Sequence, residues 1–245
     1  MYLNTRGIVF HQTKYSDTSL VVRILTEESG LRSYIIKGAR SSKARIRASL
    51  FQPLNLLELV ASHKEKSDLQ HVKEAHLAYS YHSIPEDIRK TSILLFLNEL
   101  LYKSIQEEAI NPELFTFIYE KMILLDNWQA NPANFHVAFA LHLTHYLGFF
   151  PQGKYTGQEM VFDLTEGHMT VTEPLPAENF ISGQACSWFS RFLETSVEES
   201  DSLAVPALVR AELLEKILVY YHLHLPLTGE FKSHRVLHDV LRQAK

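Results

Sequence analysis

The spacing of hydrophobic residues changes near residue 81, and this change limits the chain to folds that join a β part to an α part. Before that point apolar and polar residues alternate in short runs, which is the pattern of half-buried strands. Beyond it apolar residues return every three or four positions, as on one face of a helix. We therefore expect an α+β chain with a β domain at residues 1–80 and a helical domain at residues 81–245.

The first 80 residues predict five short strands, joined by turns and one long polar loop. Gly30 can take the positive φ of a turn, and Pro53 fits the start of a strand, where its missing N–H costs little. Because no helical crossover separates the strands, a five-stranded barrel of the oligonucleotide-binding (OB) type is the simplest arrangement. The predicted strands cover residues 8–11, 20–25, 31–37, 54–60 and 68–77.

The remaining residues predict a mainly α-helical domain. Proline at positions 85, 112 and 132 marks three helix starts, and Gly148 marks the end of the third helix. Further helices are expected at about residues 184–193, from Val205 to Leu225, and around residues 237–241.

One segment of the helical part alternates like a strand. Apolar residues occupy every second position on both sides of the pair Glu166-Gly167. A two-residue turn there would pair Leu164 with Met169 and Phe162 with Val171, all on one face. We therefore expect an inserted β-hairpin at about residues 160–173.

Positive charge is concentrated in one short segment. The formal net charge is −4, but residues 1–80 carry 12 Lys and Arg against 7 Asp and Glu, whereas residues 81–245 carry 12 against 21. The segment from Arg32 to Arg47 has six cations and no acid, and we call residues 37–47 the basic loop. Such a segment attracts a polyanion over about a Debye length, ~8 Å at physiological salt.

Sequence signatures of enzymes and membrane proteins are absent. One cysteine excludes an internal disulfide and a multi-cysteine zinc module, and Cys186 resembles a small core residue. No phosphate-binding loop, dinucleotide-binding motif or nucleophile elbow occurs, and no apolar run reaches the ~18 residues of a membrane span. We expect a soluble protein of a reducing compartment, without metal or cofactor. Three histidine pairs lack an obvious third zinc ligand: 142 and 145, 222 and 224, and 234 and 238.

A positive groove beside aromatic rings is the combination that holds single-stranded nucleic acid. The basic loop follows a strand that carries Tyr34, and Lys14 and Tyr15 lie in an earlier turn. We expect contacts to phosphates and stacking on bases, with little sequence preference. On charge alone, a solubilising loop with no partner is the alternative. The candidate DNA-binding residues are Lys14, Arg32, Tyr34, Lys37, Arg40, Lys43, Arg45 and Arg47.

An ordered set of segments over nearly the whole chain resembles the RecO family of bacterial recombination mediators. No single segment is diagnostic, but the set occurs in the family's order. The segments are Gly7–Leu20, Thr26–Leu31, Lys37–Arg40, Leu50–Leu54, Leu147–Pro151 and Tyr220–Pro226.

The resemblance implies an OB domain followed by a helical domain in a cytoplasmic, nucleoid-associated protein that is not an enzyme. Such proteins bind single- and double-stranded DNA, anneal complementary strands and, with RecR, help RecA replace the single-stranded-DNA-binding protein SSB on gapped DNA. The OB domain would meet RecR, and the acidic, Phe-ended tail of SSB would dock on the helical domain. This tail needs a basic residue beside an apolar pocket, for which Lys103, Lys121 and Lys154 are the candidates. The DNA contacts implied by the resemblance are the seven cations among the candidate DNA-binding residues.

The sequence departs from the family at one place. Many members carry a four-cysteine zinc module where this chain has residues 160–171 and, nearby, only Cys186. We expect the hairpin to fill that space without a metal. Two other function classes stay open, namely an adaptor without direct DNA contact, suggested by the acidic residues 81–245, and a metal hydrolase, suggested only by the 13 histidines.

Overall fold

The first part of the chain forms a closed barrel of five strands. The computed structural model describes residues 1–63, 67–157, 159–172 and 179–243. The strands follow the order β1-β2-β3-β5-β4 around the barrel, with β3 and β5 parallel and the other pairs antiparallel. The predicted α+β fold with an OB-like barrel is thereby confirmed. The strands are β1 (Tyr2–Lys14), β2 (Leu20–Thr26), β3 (Gly30–Ile36), β4 (Leu56–Ser62) and β5 (Leu69–Tyr79).

The barrel interior is filled by large apolar side chains from every strand, and the first strand passes them closely at Gly7. A methyl group at this position would lie 2.8 Å from Ile24 Cγ2 and 2.8 Å from Leu59 Cδ1. Real side chains do not approach so closely, so a larger residue at this position would force Ile24 and Leu59 to shift. The alternation predicted at residues 8–11 does not appear as alternating burial, because Ile8, Val9 and Phe10 are all buried and His11 is exposed.

The start of β4 differs from the prediction of a strand at residues 54–60. The strand begins at Leu56, because Leu54 has a φ of 60° and turns the chain instead of extending it. The Leu54 N–H donates to Val9 O at 2.7 Å, and Leu54 O accepts from the Tyr81 hydroxyl at 2.7 Å. These two bonds and the complete burial of the Leu54 side chain hold a conformation that a leucine rarely adopts.

The helices follow the predicted starts and stops with small shifts. Pro112 is the first residue of its helix, whereas Pro85 and Pro132 lie in short 3-10 turns that precede the next helix. Gly148 ends the third helix with a φ of 86°. None of the helices in the described part of the chain combines the length and apolar character that crossing a bilayer requires. The helices are α1 (Ile88–Ser104), α2 (Pro112–Asn127), α3 (Phe135–Leu147), α4 (Gly183–Glu194), α5 (Ala207–His224) and α6 (Ser233–Gln243).

The chain divides into two compact units. The first contains Met1–His82 together with Ile105–Asp126, and the second contains Ser83–Ser104 with Asn127–Lys245. We call them the barrel unit and the helical unit. The expected division at residues 80 and 81 stays a prediction, and the contacts add that helix α2 belongs with the barrel.

Helix α2 is held to the barrel by one arginine and one aspartate. The Arg6 guanidinium donates to both carboxylate oxygens of Glu27, at 2.8 and 2.6 Å, and lies 4.7 Å from the centre of the Tyr119 ring. The buried Asp126 carboxylate accepts from the Tyr79 hydroxyl at 2.9 Å and from the backbone N–H of His82. Both contacts join α2 to barrel strands that are distant in sequence.

The expected hairpin is present in the helical unit, and a third short strand extends it into a small sheet. Strands β6 (Val161–Asp163), β7 (His168–Thr170) and β8 (Phe180–Ile181) form it in the order β7-β6-β8. Phe162 pairs with Met169, so the predicted pairing of Phe162 with Val171 and of Leu164 with Met169 is wrong. Residue 173, the predicted end of the hairpin, lies outside the described residues.

The register differs because Asp163 makes a longer turn. Its Oδ1 accepts from the backbone N–H groups of Thr165 and Glu166 at 2.8 and 3.1 Å, and the Gly167 N–H donates to Asp163 O at 2.9 Å. The turn therefore spans residues 164–167 instead of two residues. An Asp side chain that bonds its own backbone two residues on favours this geometry over a two-residue turn.

We expect the hairpin to fill its part of the helical unit without a metal. No cluster of three or more His, Cys, Asp or Glu side chains suited to a metal occurs among the described residues. The Cys186 thiol is fully buried, with its sulfur 3.7 Å from the Met169 sulfur, and burial raises the pKa of this thiol to about 11. A thiol held in its neutral form is a poor metal ligand.

We predict that replacing Asp126 with alanine lowers the free energy of unfolding by about 2–4 kcal/mol, because the Tyr79 hydroxyl and the His82 N–H lose their charged acceptor. Urea unfolding measures this loss. Glu120, which is exposed on the same helix, is the matched control, and Glu120→Ala should change stability by less than about 0.5 kcal/mol. Equal midpoints for the two variants would show that Asp126 does not hold α2.

We also predict that the purified protein contains less than one equivalent of zinc and that a chelator leaves its unfolding temperature unchanged. A structural zinc site contributes about 10–16 kcal/mol of apparent binding free energy, so its removal would be obvious. Elemental analysis together with thermal unfolding, with and without chelator, measures both quantities. Stoichiometric zinc whose removal lowers the unfolding temperature would contradict a metal-free fold.

Candidate nucleic-acid interface

Two connections leave the barrel at the same end. Lys14 at the end of β1 pairs with Leu20 at the start of β2, and Leu20 pairs with Ile36 at the end of β3. The turn at residues 15–19 and the basic loop therefore begin side by side. We call this part of the barrel the basic end.

Apolar residues hold the basic loop and its continuation against the barrel core. Ala39 is buried in the core, and Ile46, Ala48 and Leu50 pack on it from the outside. The Ala48 N–H donates to Ala39 O at 3.1 Å and closes the loop. The loop is thus a packed element of the barrel, not a free tether.

The cations of the loop alternate with these apolar residues. Lys43, Arg45 and Arg47 are exposed, whereas the residues between and after them turn toward the barrel. Arg40 is exposed as well, and its backbone N–H donates to Thr18 O at 3.0 Å. This bond ties the basic loop to the turn at residues 15–19, so the two connections form one surface.

Most of the cations at the basic end have no carboxylate partner. Within the described residues, no ion pair involves Lys37, Arg40, Lys43 or Arg47. The two cations that do have one form solvent-exposed pairs, Lys14 with Asp17 at 3.4 Å and Arg45 with Glu74 at 3.6 Å. Exposed pairs of this kind contribute about 0–1 kcal/mol and are readily exchanged for a phosphate.

Arg32 lies near the other end of strand β3, away from these cations. Its guanidinium forms an ion pair with Glu108 and donates to Ser29 O at 3.1 Å. The structure therefore places Arg32 beside the β2–β3 turn, where its charge is compensated. It does not join the other predicted DNA contacts at the basic end.

The prediction that Tyr34 stacks on a base is wrong for this structure. The Tyr34 ring is 1% exposed and belongs to the barrel core, and burial raises the pKa of its hydroxyl. Tyr34 shares the inward face of β3 with Ile36, because side chains two apart on a strand point the same way. The exposed aromatic residue at the basic end is Tyr15.

The three lysines expected near an SSB-tail pocket belong to two different compact units. Lys121 belongs to the barrel unit, and its ammonium lies 5.5 Å from the centre of the Phe117 ring. In the helical unit Lys154 is exposed, and Lys103 donates to the carbonyls of Gly229 and Glu230 at 3.3 and 2.7 Å. None of these side chains lines the pocket described next.

The helical unit contains an apolar pocket of about 440 Å³ with a basic lining. Arg210 donates to Asn134 Oδ1 and Val205 O, both at 3.3 Å, and has no carboxylate partner within the described residues. Burial lowers the pKa of Arg210. The pocket is lined by the start of α1, by residues 131–136, and by α5 and α6. Its residues include Arg89, Ala133, His136, Leu208, Arg210, Leu214, Leu237, His238, Leu241 and Arg242.

His136 lines the same pocket with a neutral imidazole. It is fully buried, its Nδ1 has no hydrogen-bond partner, and burial followed by the charge of Arg210 lowers its pKa to about 3. A half-buried arginine without a carboxylate partner, next to a buried imidazole nitrogen without a hydrogen bond, is a costly arrangement that an entering anion relieves. The pocket therefore suits a carboxylate or phosphate carried by an apolar group. Sequence analysis did not name Arg210 as a candidate. The signal that could have found it is a cation among the apolar residues of α5.

Comparisons with known proteins agree with the two-part architecture. The family model Recombination protein O N terminal matches residues 1–81, and the model Recombination protein O C terminal matches residues 85–234. DNA repair protein RecO of Flavobacterium psychrophilum is 35% identical, over 98% of this chain and 99% of its own length. The RecO protein of Bacteroides fragilis (strain YCH46) is 35% identical, again over 98% and 99%. The two family models match both halves of the chain, and the relatives align with it over nearly its full length. This chain therefore belongs to the RecO family of DNA repair and recombination proteins.

Proposed function

We propose that this chain serves its family's role in DNA repair and recombination by binding single- and double-stranded DNA at the basic end of its barrel. There it anneals complementary strands and, with RecR, helps RecA replace SSB on gapped DNA. The observation that carries the proposal is the set of exposed cations held outward by apolar anchors. RecO relatives and an OB-like barrel support the same reading.

The chemistry of the basic end favours contacts to the DNA backbone. Ammonium and guanidinium groups bind phosphate oxygens and release condensed counterions, which gives affinity without sequence information. Arginines can also bind two phosphate oxygens at once. Such contacts leave the edges of the bases free, so a strand held here can still pair with a complementary strand. Annealing follows from this arrangement because the same cations reduce the repulsion between two polyanions.

The SSB tail has a candidate site in the helical unit. An acidic segment that ends in phenylalanine carries a carboxylate next to an apolar ring, and the pocket around Arg210 offers both a half-buried cation and apolar walls. We propose this pocket as the tail site, in place of surfaces near Lys103, Lys121 and Lys154. The basic residues Arg89 and Arg242 at the pocket would face the other acidic residues of the tail.

A second candidate function is an adaptor that binds repair proteins without touching DNA. The pocket of the helical unit favours it, because this pocket fits a peptide and needs no nucleic acid. An adaptor would bind the tail peptide and RecR but would show no salt-dependent binding to DNA. The measurement below separates the two functions.

We predict that binding to a fluorescent single strand weakens with salt, with a log–log slope of about −3 for four phosphate contacts. The double variant Arg40→Glu with Arg45→Glu loses two of these contacts, so its slope should be shallower, about −1.4. It should also bind all sequences more weakly to the same degree. Lys154→Glu with Arg235→Glu changes the charge equally on exposed residues of the helical unit and is the control. If binding did not change with salt, the proposed DNA binding would be wrong. If the variant with Arg40→Glu and Arg45→Glu bound DNA normally, the basic loop would not be the DNA-binding surface.

We predict that Arg210→Met weakens binding of an acidic peptide with a C-terminal phenylalanine by about 10- to 100-fold, because the peptide loses a charged hydrogen bond in a partly desolvated pocket. Fluorescence anisotropy with a labelled peptide measures the affinity. Lys103→Met lies outside the pocket and should leave the affinity for the peptide unchanged. Neither substitution should change the affinity for DNA. If Arg210→Met bound the peptide as tightly as the original protein, the pocket would not be the tail site.

A further inference from the structure

Tyr15 is an exposed aromatic ring on a rigid turn. Its side chain is 64% exposed, and no ring contact or side-chain hydrogen bond involves it within the described residues. The turn is closed from both sides, because the N–H groups of Tyr15 and Ser16 donate to Ser19 O at 3.0 and 3.3 Å and the Ser19 N–H donates to Ser16 Oγ at 3.1 Å. The ring therefore projects from a fixed backbone into solvent.

The ring lies among the groups that would hold phosphates. Lys14 precedes it, and the bond from the Arg40 N–H to Thr18 O ties the basic loop to the same turn. Asp17 is the one carboxylate of the turn, and it already pairs with Lys14. An aromatic face next to several cations is the combination that binds a base and its flanking phosphates together.

We propose that Tyr15 is the base-stacking position of the basic end and that its ligand is an unpaired nucleobase. This inference rests on the proposed DNA binding and adds selectivity to it. The cations bind the phosphates of single and double strands alike, whereas the ring can stack only on a base that is not already stacked within a duplex. Tyr15 therefore favours single strands over duplexes at a site whose phosphate contacts do not discriminate.

The second exposed tyrosine of the barrel provides a matched control. Tyr2 is 56% exposed, but it lies at the far end of β1, where it pairs with Ser62 of β4. Its ring lies 5.9 Å from the Lys73 ammonium and far along the strand from the basic loop. Removal of this ring tests whether any exposed tyrosine of the barrel contributes to binding.

The experiment compares a thymidine strand with an abasic strand that has the same number of phosphates. The original protein should bind the thymidine strand about tenfold more tightly, since stacking on one base contributes about that much. Tyr15→Ala should bind both strands alike, with the salt slope of the original protein, and its affinity for a duplex should change by less than about twofold. Tyr15→Trp should restore the preference for thymidine, and Tyr2→Ala should retain it.

Each failure has a separate meaning. Equal binding of the two strands by the original protein, with a normal salt slope, would overturn the stacking role and leave the proposed DNA binding intact. Retention of the thymidine preference by Tyr15→Ala would also overturn it. Absence of salt-dependent binding to both strands would overturn the proposed function, and the role of Tyr15 with it. Circular dichroism and thermal unfolding confirm that the variants, altered at exposed positions, are folded.

Discussion

Packing of Ile46, Ala48 and Leu50 on the barrel core is the interaction on which the charged surface of this protein depends. Each apolar side chain that packs on the core leaves its neighbours in the chain pointing to solvent. Burial of the apolar side of the loop therefore exposes the cations on its other side. The loop is already ordered by this packing. A ligand therefore avoids much of the cost of ordering the backbone of a flexible basic segment, which is about 1–2 kcal/mol for each residue.

The placement of carboxylates in the barrel unit preserves that charge. Glu27 compensates Arg6, and Glu108 compensates Arg32 beside the β2–β3 turn, away from the basic loop. At the basic end, carboxylates reach Lys14 and Arg45 only through exposed pairs that solvent screens. The barrel thus uses buried or bidentate pairs to fix its structure and leaves the remaining cations to solvent. A net charge of −4 for the whole chain conceals this local arrangement.

The strands and helices were predictable because alternation and helical spacing are local properties of the sequence. The face of Tyr34 was not, because Tyr34, Ile35 and Ile36 are all buried and the pattern of β3 does not distinguish the core face from the outer face. The hairpin register depended on the hydrogen bonds that the Asp163 side chain accepts from Thr165 and Glu166, and these outweighed the match of apolar residues. The pocket around Arg210 could not be predicted for a different reason, because its walls come from four segments that are far apart in the chain.

The two proposed sites belong to different compact units, and this separation has a consequence for binding to SSB-coated DNA. Under the proposed function, an SSB tail held in the helical unit tethers the strand bound by that SSB to the same molecule that carries the basic end. The second binding event is then intramolecular, with an effective concentration that reaches the millimolar range for short connections. Weak, salt-sensitive phosphate contacts suffice under these conditions, because avidity replaces intrinsic affinity. Contacts that exchange quickly also let one strand shift along another until the bases pair, which a tight, sequence-reading site would prevent.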